Sequence, residues 1–172
     1  MNINVFFIII SAGLLGIFLG FKPLDIKQQH FVDVPIFELK SFTLYELNKL
    51  GLESVMVGDN GIRYSNRYEV ENINYTDSSK GYLANIKADK GLYKNDTLKL
   101  NGHVEYQRDD GLVFQTKRAD YNKKTKIAYT DTNYVSYMGK NIVKGSYLRY
   151  DSNLKKTFSK NVTATYQLKE ER

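Results

Sequence analysis

The residue types that most often carry chemistry are scarce in this chain. Its 172 residues include two histidines and no cysteine. Without cysteine there is no thiolate nucleophile, no thiolate metal site and no disulfide framework. His30 lies in a polar stretch and His103 beside Asn101-Gly102, and neither has a partner at metal-ligand or catalytic-triad spacing. Asp109 and Asp110 are adjacent, so on a strand they would point to opposite faces, and before Gly111 they read as turn formers. Glu69 and Glu71 would share a face, but with Arg67 and Lys87 nearby they read as solvated surface. No phosphate-cradling glycine loop, dinucleotide fingerprint or nucleophile elbow occurs. The expectation is a protein that is not an enzyme, with no catalytic residue, no metal and no cofactor.

Charge and aromatic content narrow the partners. The formal net charge is +6, and every charged side chain lies at Lys22 or later. A basic surface attracts nucleic acid, anionic lipid or acidic glycolipid, and net charge alone does not choose among them. Fourteen tyrosines and nine phenylalanines with no tryptophan favour strands, where such rings pack on a pleated surface. Interleaved lysine and tyrosine also occur in sheets that stack bases. Here, however, most tyrosines fall on the inward phase or at turn entrances.

The chain opens with an uncharged run of 17 residues, Val5 to Phe21, which as a helix would span roughly 26 Å, the short end of a bilayer core. Gly13, Gly16 and Gly20 would give it one face of small residues for packing against another membrane helix. A secretory signal peptide would have a basic start, a shorter apolar core and a small-x-small cleavage site. None of these is evident, which favours an uncleaved anchor. Lys22 and Lys27 follow the run and nothing basic precedes it, so the positive-inside rule alone would put the rest of the chain in the cytoplasm. The expected organisation is a transmembrane anchor at 1–22, a tether at 23–36, a β domain at 37–168 and a charged tail at 169–172. Within the domain, Thr43 with Glu46 resembles a capping box, and Leu44, Leu47 and Leu50 follow helical spacing, predicting a short helix over about 44–50.

From Glu53 onward the period is two. Gly58–Gly61 reads as a hairpin turn, as do Asn101-Gly102, Asp110-Gly111, Met138-Gly139 and Thr130–Asn133. A phase break between Val70 and Ile73 predicts a bulge. Leu100, Tyr129 and Phe158 recur 29 residues apart, and Tyr93, Tyr121 and Tyr150 at 28 and 29. Such a period marks stacked supersecondary units that cannot bury their apolar faces singly. The expected fold is all-β, an elongated, folded-over antiparallel sheet of stacked hairpins. Its expected inward face comprises Val55, Val57, Ile62, Val70, Ile73, Tyr75, Ile86, Leu98, Leu100, Val104, Tyr106, Phe114, Ile127, Tyr129, Val135, Tyr137, Leu148, Phe158 and Val162. Periodicity does not distinguish a closed core from an apolar trough.

An N-terminal apolar helix, a tether and units of the form L-x-L-x-G-x-V-x-Y…G-x-x-F-x-T-x-x-A-x-Y together resemble the LptC family. Leu98–Tyr121 carries the pattern, Ile127–Tyr150 and Lys155–Gln167 echo it, and the likeness spans nearly the whole chain. The resemblance implies a β-jellyroll in the periplasm on a single-pass inner-membrane anchor, as part of the lipopolysaccharide export bridge. It implies no reaction. Lipopolysaccharide would pass from an ABC transporter to an apolar groove, then to a soluble periplasmic bridge protein. The transporter would meet the anchor and the N-terminal sheet edge, and the bridge protein the C-terminal edge. That edge would be Asn161, Val162, Thr163, Ala164, Thr165, Tyr166 and Gln167. The residues themselves leave two other readings open. One is an anchored assembly protein with a closed core that binds through its edges. The other is a basic single-stranded nucleic-acid binder.

Overall fold

From Phe37 onward, alternation of apolar and polar residues resolves into strands. The computed structural model describes residues 10, 11, 13–16, 20, 33–49, 51–79 and 81–167. The chain divides into two units, Met1–Phe31 and Val32–Arg172. In the first, the described residues, Gly13, Gly16 and Gly20 among them, are α-helical. Among the described residues, no helix is long and apolar enough to cross a membrane. The anchor expected at 1–22, the tether as far as residue 32 and the tail at 169–172 lie largely or wholly outside the described residues.

The second unit is a 12-stranded antiparallel sheet. Its strands are β1 (Phe37–Asn48), β2 (Gly51–Arg63), β3 (Tyr68–Asp77), β4 (Ala84–Lys94), β5 (Thr97–Arg108) and β6 (Leu112–Asn122). After these come β7 (Ile127–Thr130), β8 (Tyr134–Met138), β9 (Asn141–Gly145), β10 (Tyr147–Asp151), β11 (Lys156–Lys160) and β12 (Thr163–Thr165). β1 to β6 pair in chain order. β6 then divides its far side, pairing Leu112–Thr116 with β8 and Asp120–Asn122 with β7. β7 continues to β10 and β11, and β8 to β9 and β12. The later short strands are thus long strands interrupted once, at 131–133, at Ser146 and at 161–162.

Those interruptions lie on a seam that crosses the whole sheet. Ser41, Asn72, Gly102, His103 and Asn161 have left-handed backbone there, with φ of 47°, 51°, 75°, 42° and 52°. Inward residues flanking the seam are three apart rather than two; left-handed Asn72 makes this phase reversal in β3, whereas β2, β4 and β6 make it without a left-handed residue. Gly58 and Gly61, Val70 and Ile73, Ala88 and Gly91, and Thr116 and Ala119 are such pairs. β5 adds one residue more. Lys87↔Glu105 is followed by Lys90↔Asn101 on one side, and Asn101↔Arg118 by Val104↔Thr116 on the other. This bulge sets Leu100 and Val104 four apart and bends the strand. Both halves of the sheet then pack on one cluster, Ile73, Ala88, Leu100 and Val104, flanked by Met56, Val70, Tyr75, Ile86, Leu98 and Ala119.

Four local expectations are corrected. Residues 44–48 form no helix, because β1 runs through Asn48 and pairs with β2 along this stretch, with one register shift at Glu46/Leu47; Leu50 lies outside the described residues. Glu46, expected at a cap, accepts a 3.0 Å hydrogen bond from the Ser54 hydroxyl across the strands. Pairing along the strand outweighs a weak helical propensity. Gly58–Gly61 is no turn either; it runs inside β2. The two glycines make room for the buried Phe42 ring, which a Cβ would meet at 2.8 and 2.7 Å. Asn101-Gly102 opens the β5 bulge, and a Cβ on Gly102 would collide with the Asp89 carboxylate. The phase break between Val70 and Ile73 falls on Asn72 without an inserted residue, since Val57↔Asn74 and Asn60↔Glu71 keep one register. Turns do occur at Asp110-Gly111, after Met138 and at 131–132.

Candidate functional site: an apolar trough and its lips

Cross-strand register assembles the inner face. Directly paired residues lie on the same face of an antiparallel sheet. Leu44, Met56, Tyr75, Ile86, Tyr106, Phe114, Ser136, Val143 and Ala164 therefore form one row from edge to edge. Beyond the seam a second inner row runs Phe37, Arg63, Tyr68, Tyr93, Leu98, Tyr121, Ala128 and Tyr150. Near the seam the face is buried, but Met56, Tyr75, Ile86, Tyr106, Phe114 and Val143 are only half-buried. Tyr75, Ile86 and Tyr106 among them line a cleft of about 70 Å³ together with Asp77, Tyr82 and Ala84.

The few polar groups on this face are held by neighbours. Burial raises the Tyr75 pKa, and it raises that of Tyr106 further, helped by a hydrogen bond with Tyr82. Both phenols therefore stay neutral through the ordinary pH range. Phe114 stacks on Tyr134 with ring centroids 5.4 Å apart, and the Tyr134 hydroxyl lies 2.8 Å from Ser159 Oγ. At the seam, the hydroxyls of Thr116, Thr130 and Thr132 lie 2.8–3.1 Å apart and so satisfy one another. Among the described residues no group of three or more His, Cys, Asp or Glu side chains could hold a metal ion. His103 Nδ1 lies 2.8 Å from Asp89 Oδ2 on the exposed bulge.

The register places the expected inward residues on two faces. Val70, Ile73, Tyr75, Ile86, Leu98, Leu100, Val104, Tyr106, Phe114 and Leu148 share the inner face. Val55, Val57, Ile62, Ile127, Tyr129, Val135, Tyr137 and Phe158 lie on the other. Val55 pairs with Tyr45 and Thr76, Val57 with Thr43 and Asn74, and Ile62 with Glu38 and Glu69. Ile127 pairs with Asn122, and Tyr129 with Asp120 and Arg149, whose other partner is Phe158. Val135 pairs with Gln115 and Lys144, and Tyr137 with Val113 and Ile142. Tyr129 is tied to that face by a 3.0 Å hydrogen bond to Asp120, which raises the Tyr129 pKa. Val162 lies between strands. For Tyr129 the reason is the β5 bulge: the inward counterpart of Leu100 is Thr130, 30 residues on, while a strict period of 29 lands on Tyr129. A slip of one residue turns a side chain to the opposite face.

The sheet is open at both edges. Among the described residues, β1 pairs only with β2, β11 only with β10 and β12 only with β9. Thr163, Ala164 and Thr165 form that last strand, while Asn161 and Val162 lead into it. Tyr166 and Gln167 follow it, with the Gln167 amide donating to Asn141 Oδ1 at 3.0 Å. A Cβ on Gly13, Gly16 or Gly20 would meet open space. Phe42, Leu44, Met56, Tyr134, Val143 and the tyrosine row were missed as inward residues. The 28- and 29-residue spacing of Tyr93, Tyr121 and Tyr150 was the signal for that row.

Two comparisons bear on this arrangement. A family model described as LptC, lipopolysaccharide-assembly, LptC-related, matches residues 6–167. The comparison with curated proteins found no match.

Proposed function

The chain belongs to the LptC family, and we propose that it carries the acyl chains of lipopolysaccharide along the inner face of its sheet. The family implies a part in lipopolysaccharide transport. The observation that carries the finer reading is the mostly apolar row from Leu44 to Ala164, which crosses nine strands and is half-buried at Met56, Tyr75, Ile86, Tyr106, Phe114 and Val143. Each acyl CH₂ removed from water on such a face contributes about 0.8 kcal/mol, so holding the lipid needs no specific polar contact. The same lack of specificity lets the lipid slide from strand to strand. Direction must then come from an ATP-driven transporter at one edge.

The open edges suit this role. β1 would receive a strand from the transporter, and β11 with β12 would offer one to a soluble bridge protein, by strand addition. The N-terminal segment would anchor the chain in the inner membrane, with Gly13, Gly16 and Gly20 packing on the transporter and the sheet in the periplasm. In this scheme the only covalent chemistry is ATP hydrolysis on the transporter, and this chain makes or breaks no bond.

A reconstituted transfer assay tests the reading. Proteoliposomes holding the transporter and lipopolysaccharide are mixed with the full chain bearing a photo-crosslinker at Phe114. Lipopolysaccharide adducts are expected to require ATP and to grow with time. Adducts that never form, with or without ATP, would refute the carrier role.

A further inference from the structure

The two lips of the trough differ in charge. At the lip where β1 begins, Lys94, Lys123, Lys124, Lys126, Lys155 and Lys156 are all exposed and make no ion pair among the described residues. Their turns are joined to one another. The Lys123 amide donates to the Asp96 carbonyl at 2.8 Å, and the Ser152 amide donates to the Lys126 carbonyl at 3.1 Å. The end rung of the sheet runs Lys94, Thr97, Asn122, Ile127, Asp151 and Lys156 and lies on the outer face with Ile127. The turn lysines Lys123, Lys124, Lys126 and Lys155, which no strand pairing holds to that face, therefore form the main part of the lip. One residue further in lie Tyr93, Tyr121 and Tyr150, on the inner face.

The opposite lip has the reverse character. Glu46, Glu53, Asp77, Asp109 and Asp110 lie there with Lys49, Arg108 and Lys140, and Arg108 is paired with Asp110, so this lip is weakly acidic. At the lysine lip, Asp96 and Asp151 offset only part of the positive charge. A flat anionic membrane laid across the mouth would meet both lips and be repelled by one. A nucleic acid would need bases stacked on an exposed platform, whereas these tyrosines turn toward the trough. A single lipid with its chains inside and its headgroup at the mouth touches the basic lip alone.

We propose that the lysine lip binds the phosphate groups of the lipid whose chains lie in the trough, and so sets the orientation in which that lipid is carried. The tyrosine hydroxyls just inside supply hydrogen-bond donors where phosphate meets sugar, and the acidic lip repels a phosphate placed the wrong way round. This rests on the trough reading and adds a polarity to it. Exposed cation–phosphate pairs are screened by salt, so the preference weakens as ionic strength rises.

The test uses two lipids with the same acyl chains, bis-phosphorylated lipid A and its fully dephosphorylated form, and the full chain in detergent. At low salt the chain should prefer the phosphorylated lipid by about tenfold or more. The variant Lys123→Gln/Lys124→Gln/Lys126→Gln/Lys155→Gln/Lys156→Gln should lose that preference while binding the dephosphorylated lipid unchanged. Lys49→Gln/Lys140→Gln, on the opposite lip, should keep it. Equal binding of the two lipids by the unaltered chain overturns the phosphate site and leaves the trough intact. Failure to bind either lipid removes the trough itself, and the phosphate site with it. If the quintuple variant keeps its lipid A preference but loses binding to phosphatidylglycerol vesicles, the lysines serve a membrane surface and the proposal is wrong.

Discussion

Phe42 shows how much a single residue can depend on register. Its ring is buried over Gly58 and Gly61, in space where neither glycine tolerates a Cβ. Gly61→Ala should therefore cost about 1–3 kcal/mol by overpacking, read as a shift in urea midpoint at constant slope. Pairing it with Phe42→Leu should recover part of the loss. Tyr106 makes a different prediction. Its folded pKa lies above the ordinary tyrosine value, first from burial and then from its bond with Tyr82. Above about pH 10, where an unfolded tyrosine loses its proton, stability should fall as pH rises toward the folded value. Tyr106→Phe should make that decline shallower between pH 9 and 11 in denaturation curves. The sequence made Tyr106 legible as an inward residue because Val104 and Tyr106 alternate on one side of the bulge. Phe42 was not legible, because its contacts join two strands whose pairing no local pattern reveals.

Among the elements, the bulge in β5 decides which side chains face inward. Alternation within a strand was readable from residue types, which is why Leu98, Leu100, Ile86 and Phe114 were placed correctly. Phase across the seam was not, because left-handed Ser41 and Asn72 and the extra residue at Gly102–His103 reset it without any apolar signature. Deleting His103 removes the extra residue and leaves Leu100 and Val104 three apart, the spacing that the neighbouring strands show across the seam. Cooperative unfolding should survive that deletion at a lower urea midpoint, because the bend is lost, whereas deleting Glu105 should put Leu98 and Tyr106 out of phase and abolish the cooperative transition. The β1 segment was misread for a related reason. Leucines three apart satisfy a helix locally, but a strand partner outweighs them once β2 is in place.

For the molecule as a whole, composition excluded much and located little. The repeat pointed to the family that the match over residues 6–167 establishes. The charge asymmetry of the lips could not be read in advance, since the turns that compose them are far apart in sequence. The central claim is that lipid travels on one face of the sheet. It is tested most directly with photo-crosslinkers at neighbouring positions on opposite faces, in cells that make lipopolysaccharide. Phe114, Tyr106 and Ile86 should trap lipopolysaccharide, while Val113, Gln107 and Asn85, one residue away on the outer face, should not. Trapping at the outer positions with none at the inner ones would contradict the account.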